Sequence, residues 1–195
     1  MEQKSESDIA RPKTGRAFLH QRLKEMLPDR KGHLVFWLPA VVGLGLDLWT
    51  KQAVFEWLQH RRPEGFPVIN SFLTLVTAVN DGAVFGFASG QRFLLVAVSI
   101  IAMVIIFSLF LFSGDERRVI QTALGFFAAG VAGNLYDRLF NDGLVRDFID
   151  VLYWPGRHWP AFNVADSLLC IGAVIIIFSE LLIQKLTRKR ALLHK

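Results

Sequence analysis

The sequence predicts an all-α membrane protein: four transmembrane helices with a small extracytoplasmic β-element. Three observations predict it. Of 195 residues, 52% are hydrophobic and 12% aromatic, more apolar surface than one soluble domain of this length can hide. Four apolar segments are long enough to cross a bilayer, the clearest being Phe93 to Phe112, twenty residues without a charge. The charged residues, 20% of the chain, gather at the ends and between those segments. A formal net charge of +5 does not point to nucleic acid here. The basic residues flank apolar runs, where they act as topology signals and contacts for anionic membrane lipid.

The first segment opens at Leu34 and gives a helix over about 34–55, interrupted by Asp47 and Lys51. Pro39 lies inside it, which membrane helices tolerate. The others give helices over about 93–112, 119–138 and 161–183, so residues 34–185 form one membrane domain. Residues 1–33 are a polar, basic N-terminal segment with eight Lys/Arg against five Asp/Glu. Within it, 16–27 reads either as a basic amphipathic helix on the membrane surface or as a disordered tail. It is not a cleavable signal peptide, because the apolar run comes too late and no small-residue cleavage site follows. Residues 186–195 are a basic tail.

Orientation follows from the flanks. The N-terminal segment, the tight loop 113–118 and the C-terminal tail hold fifteen Lys/Arg, and the opposite side holds six. Both termini are therefore expected to be cytoplasmic. The outer loop 56–92 is long. Its Val68 to Val79 run is rich in Val, Ile, Thr and Phe and ends at Asn80-Asp81-Gly82, a turn signal, so a β-element is expected there. Cys170 is the single cysteine, which excludes an intramolecular disulfide, and in its apolar run it reads as packing. His20, His33, His60, His158 and His194 are scattered, and no metal site or organic cofactor is implied.

On this topology the unusual polar residues collect at one depth, near the outer interface. Asp47 and Lys51 share a helix face at i and i+4, and Asn134, Asp137 and Arg138 close the third helix. Asn163 and Asp166 open the fourth, with Asp166 roughly 7–8 Å inside it at a helical rise of ~1.5 Å per residue. Asp147 lies in the outer connection between the third and fourth helices, and Asn80 in the outer loop. Ionisable groups inside a membrane cost ~2.5–3.5 kcal/mol each on insertion scales, so their clustering suggests a site. Blander readings stand beside this one: Asp47 with Lys51 as a neutralising pair, Asp137 with Arg138 as an interfacial anchor, Asp142 and Asp150 as solvated loop charges. Asp166 has no basic neighbour in its own helix and needs either a proton or a partner from another segment.

These residues sit in stretches that resemble the lipoprotein signal peptidases, bacterial membrane aspartic proteases also called signal peptidase II. Asp47 to Lys51 (DLWTK) resembles D-x-x-T-K, and Asn80 to Gly86 (NDGAVFG) resembles N-x-G-A-A-F-G. Gly130 to Arg138 (GVAGNLYDR) resembles G-x-x-G-N-x-x-D-R. Val145 to Phe148 (VRDF) and Phe162 to Asp166 (FNVAD) resemble V-x-D-F and F-N-x-A-D. The resemblance covers about 34–185. It departs in having Val84 for the usual alanine and a longer N-terminal segment.

The resemblance implies catalytic aspartates at Asp147 and Asp166, supported by Asp47, Lys51, Asn80, Gly82, Gly130, Asn134, Asp137, Arg138 and Asn163. It implies a multi-pass protein of the bacterial inner membrane, with its site near the outer face. The implied substrate is a prolipoprotein whose cysteine already carries diacylglycerol, cut just before that cysteine; a monomer suffices for the site. Rival readings are a proton-coupled transporter, a serine protease using Lys51 with Ser71 or Ser167, and a non-catalytic scaffold.

Overall fold

The computed structural model describes residues 27–82, 88–114 and 117–193. The 16–27 stretch, apart from Leu27, lies outside the described residues, as does the part of the outer-loop motif containing Val84. Four helices are long and apolar enough to cross a membrane: α1 (Arg30–Arg61), α2 (Arg92–Leu111), α3 (Arg118–Phe140) and α4 (Val164–Leu193). Between α1 and α2 lie β1 (Phe66–Ile69) and β2 (Leu73–Asn80), and between α3 and α4 lie β3 (Val145–Trp154) and β4 (Arg157–His158).

α1 begins at Arg30 because Asp29 caps it, its Oδ1 accepting the Gly32 N–H at 2.7 Å. Its buried residues Phe36, Ala40, Gly43, Asp47, Lys51, Phe55 and Leu58 recur every three or four positions, one helical stripe. That stripe packs on α3, which also carries α2 and α4 and is the central helix. α3 meets it with small residues: Gly125, Ala128, Ala129 and Gly133 are buried. A Cβ at Gly125 would collide with the Phe36 carbonyl oxygen, so the two backbones approach as closely as they do only because none is there. The apolar core joins Phe36, Ala40, Ile106, Phe110, Leu124 and Ala128, with Phe36 stacked on Phe110 at 3.9 Å between ring centres. The outward faces are apolar too: Phe93, Ile105 and Phe178 are exposed, as expected of a surface solvated by lipid tails.

The sheet is larger than expected from the sequence. The run 68–79 supplies only β1 and β2, and the connection between α3 and α4, read as a loop, supplies β3 and β4. The order is β1-β2-β3-β4, antiparallel throughout. β3 aligns Ala78 with Asp147 and Asn80 with Val145, and its Ile149 bridges to Phe162 just before α4. The sheet thus hands the chain to α4 at the end of the bundle where the polar residues gather.

Candidate active site

α4 starts with a reciprocal cap. Asn163 Oδ1 accepts the N–H of Asp166 at 3.0 Å, and Asp166 Oδ2 accepts the N–H of Asn163 at 3.1 Å. This is a capping box with aspartate in the distal position. The Asn163 side chain, fully buried, also donates from Nδ2 to Asp147 Oδ1 at 2.7 Å. One residue therefore holds both carboxyls, Asp166 through its backbone and Asp147 through its amide.

Asp147 arrives from β3. Alternation along the strand sends Val145 and Asp147 to the buried face, leaving Asp147 only 3% exposed. Asn80, at the end of β2, adds a second side-chain hydrogen bond to it. Asn80 Oδ1 also accepts the Gly82 N–H at 2.9 Å, which turns the chain away from the strand. Burial, and after it the neighbouring charge of Asp166, push the Asp147 carboxyl up to about 7, against the opposing pull of the Asn163 and Asn80 hydrogen bonds.

Behind this pair lies a buried polar chain. Asn134 Nδ2 donates to Asp166 Oδ1 at 2.8 Å, and Asn134 Oδ1 accepts from Lys51 Nζ at 3.1 Å. Lys51 pairs with Asp47 at 2.8 Å and with Asp137 at 3.3 Å, and all three side chains are fully buried. The second Asp47 oxygen accepts the Ala165 N–H at 2.8 Å, placing a carboxylate at the positive end of α4. Gly133 makes room for it, because a Cβ there would collide with Asp47 Oδ2.

Asp137 and Arg138 are not partners. Adjacent helical residues point ~100° apart. Asp137 turns inward to Lys51 and accepts Arg146 Nη2 at 2.7 Å, whereas Arg138 donates to the Gly82 carbonyl at 2.9 Å. The anchor reading of that pair is therefore replaced by membership in the buried chain. Two further readings also change. Asp150, read as a solvated loop charge, is mostly shielded and pairs with His158 at 2.8 Å. Cys170 is exposed and lines a cavity instead of packing into the core.

That cavity, about 640 Å³, is where the polar chain surfaces. Asn80, Gly82, Asn134, Arg138, Asp147 and Asp166 form one wall, and α2 and α4 form an apolar wall with Leu95, Val98, Ala102 and Leu169. Gly130 lines it as well and lets α4 pass closely, since a Cβ there would lie 2.6 Å from the Ala165 oxygen and from Leu169 Cγ. Arg138 is 92% buried, and its Nε has no partner among the described residues.

Known proteins resemble this chain in sequence and fold. The family described as signal peptidase (SPase) II matches residues 39–182. The chain belongs to the signal peptidase II family. The lipoprotein signal peptidase of Rhodopirellula baltica is 37% identical over 171 residues, covering 77% of this chain and 72% of that protein. The one from Geobacter metallireducens is 35% identical over 150 residues, covering 75% and 90%. Two solved bacterial membrane enzyme structures, obtained by the in meso method at 2.3 and 1.9 Å, superpose with TM-scores of 0.65. They are 32% and 33% identical, each covers 74% of this chain, and the match spans 85% and 90% of theirs.

This signal peptidase II is thus a protease built on membrane helices. Within it, every site position expected from the sequence falls in one connected cluster. The sequence reading missed Arg146, which holds Asp137. The available signal was a cation nine residues beyond a helical carboxylate, across a turn short enough to bring them together.

Proposed function

We propose that the chain is an aspartic endopeptidase that removes the signal peptide from diacylglyceryl-modified prolipoproteins, cutting before the lipidated cysteine. One observation carries the proposal: Asp147 and Asp166, from different elements, are held by the same buried asparagine and open into the same cavity. The relatives are named lipoprotein signal peptidases, which supports this substrate class.

The chemistry needs two carboxyls with one proton between them. In this reading the proton starts on Asp147, whose affinity for it is raised by burial and by the neighbouring charge of Asp166. Asp166, whose two oxygens each accept an N–H, takes a proton from the attacking water. The water oxygen bonds to the scissile carbonyl carbon as Asp147 passes its proton to the carbonyl oxygen. Collapse of the tetrahedral adduct breaks the C–N bond. The amine of the lipidated cysteine leaves with the proton held by Asp166, and Asp147 recovers its own as the new carboxyl group forms. Arg138, which lines the cavity and is held by the Gly82 carbonyl, is placed to hold a substrate carbonyl.

A lipid-borne substrate suits a cavity with one apolar wall, reached sideways from the bilayer. The exposed Tyr153, Trp154 and Trp159 on and beside the sheet fit a membrane–water boundary, and the fifteen-to-six Lys/Arg bias supports that boundary being the outer one, with both termini in the cytoplasm. The Ser–Lys alternative finds no support in the contacts. Lys51 faces two carboxylates and an amide oxygen, and Ser167 donates to the Asn163 carbonyl. Against a transporter, the polar groups gather at the end of α3 and the start of α4, at one end of those spans. The test is to replace Asp147 and Asp166 separately by Asn and assay cleavage of a lipidated precursor in membranes. Each variant is expected to accumulate and to lose turnover, and turnover retained by either one overturns the assignment.

A further inference from the structure

We propose that Arg146 is a positioning residue for the Asp147–Asp166 pair, acting through Asp137, Lys51 and Asn134; this rests on the aspartic reading above. Arg146 immediately precedes Asp147 in β3, and its contacts reach three helices. Its N–H donates to Asp137 Oδ2 at 2.9 Å, and its Nε and Nη2 donate to Asp137 Oδ1 at 3.2 and 2.7 Å. Its Nη1 donates to Gln52 Oε1 on α1 at 3.0 Å. Its carbonyl oxygen accepts the Asn163 amide at 3.3 Å, the same amide that holds Asp147. Arg146 is not among the cavity-lining residues, so it acts on the carboxyls only through other groups.

Two consequences follow. The first is register. A strand slip of one residue would turn Asp147 away from the cavity, and the double grip of backbone and guanidinium on Asp137 opposes that slip. The second is charge. The fully buried Asp47 and Asp137 share one ammonium, that of Lys51, and Arg146 supplies the second cation. Without it, Asp137 would draw Lys51 to itself and away from Asn134. The Asn134 amide is oriented by that ammonium together with Asn163 Nδ2: its oxygen accepts from both, at 3.1 and 3.2 Å, so its N–H faces Asp166. An amide released from Lys51 keeps only the longer Asn163 hydrogen bond on its oxygen, and it is freer to turn that oxygen toward Asp166 and withdraw a hydrogen bond from the carboxyl that must activate water.

A charge-compensating cycle in the full chain, reconstituted in lipid, tests this. The variants are Arg146→Gln, Arg146→Lys, Asp137→Asn and the double Arg146→Gln/Asp137→Asn, each assayed for kcat and KM on a diacylglyceryl precursor and for folded yield. Arg146→Gln is expected to lower kcat by about tenfold or more with KM changed by less than about twofold. Arg146→Lys is expected to recover most of that loss. The double variant is expected to exceed Arg146→Gln by about threefold or more, because the carboxylate that captured Lys51 is gone. A normal kcat in Arg146→Gln overturns the proposal, as does a lower folded yield at unchanged kcat, or a double variant no better than the single. Asp147→Asn and Asp166→Asn run alongside. If either turns over, the aspartic reading itself falls; if both are dead while Arg146→Gln is normal, only the role of Arg146 falls.

Discussion

The two ends of the helix bundle are both polar, and they differ in what is left over. At the end where α1 begins, Arg118 reaches Asp29 at 2.7 Å and Gln121 Oε1 at 3.1 Å. Gln121, fully buried, donates onward to Ser113 Oγ and the Gly114 carbonyl at 2.9 and 2.6 Å. These contacts tie the start of α1 to the turn between α2 and α3, and among the described residues they leave no buried side-chain nitrogen or oxygen there without a partner. At the other end the polar chain is longer, holds five buried ionisable side chains, and stops at a cavity lined by Asn134, Arg138, Asp147 and Asp166. A closed network fixes helices to one another. An open one turns polar side chains toward space that something outside the chain can fill.

Substitutions that separate the two ends sharpen the contrast. The largest effect is expected from Asp147→Asn or Asp166→Asn: a loss of turnover of about a thousandfold or more at undiminished folded yield, measured on a lipidated precursor. Next comes Gly133→Ala, whose methyl group would displace Asp47 from the Ala165 N–H and from Lys51. Steric strain plus a broken buried pair predicts a stability loss of about 3–5 kcal/mol, read by thermal unfolding in detergent, with activity lost as well. At the closed end, Gln121→Ala strips partners from a buried turn and should cost about 1–3 kcal/mol of stability while leaving kcat per folded molecule unchanged. A Gln121 variant that lost kcat with normal stability would erase the distinction between the ends.

The smallest effect concerns pH. The folded-state pKa of Asp147 is raised, so the native state favours the protonated carboxyl, and stability declines as pH climbs from the ordinary value of 3.8 toward about 7. Asp147→Asn should flatten that decline, so its Tm at pH 8 is expected to exceed the parent's by a few degrees. A decline of equal slope in both proteins would remove Asp147 as its source.

Much of this was legible in the sequence because it rests on local pattern. The four helices follow from apolar runs of bilayer length, and the polar positions on one face follow from spacings of three and four. What escaped is non-local. β3 pairs with a strand about seventy residues upstream, and its inward face carries Asp147 where a plain strand would show an apolar residue, so the alternation in VRDFIDVLYW is broken at the functional position. Asp137 looked like the partner of the arginine beside it, and only the folded turn shows that Arg146 and Lys51 claim it. α4 continues ten residues past the apolar run to Leu193, because Gln, Lys and Arg are strong helix formers and hydropathy marks where lipid stops rather than where the helix does. The capping box at Asn163 and Asp166 was visible as an N-x-x-D spacing, yet its double service to both carboxyls was not.

That double service bears on how the site can change over generations. The hydrogen bonds that begin α4 are also those that aim Asp166, and the amide that completes them steadies Asp147. An inhibitor seated against Asn163 and the two carboxyls would contact atoms on which the start of α4 depends and, under the proposed mechanism, the chemistry as well. Few exchanges there could shed the drug and keep a working enzyme, so resistance is expected to map to the apolar wall of the cavity, where side chains can be swapped at little cost to either.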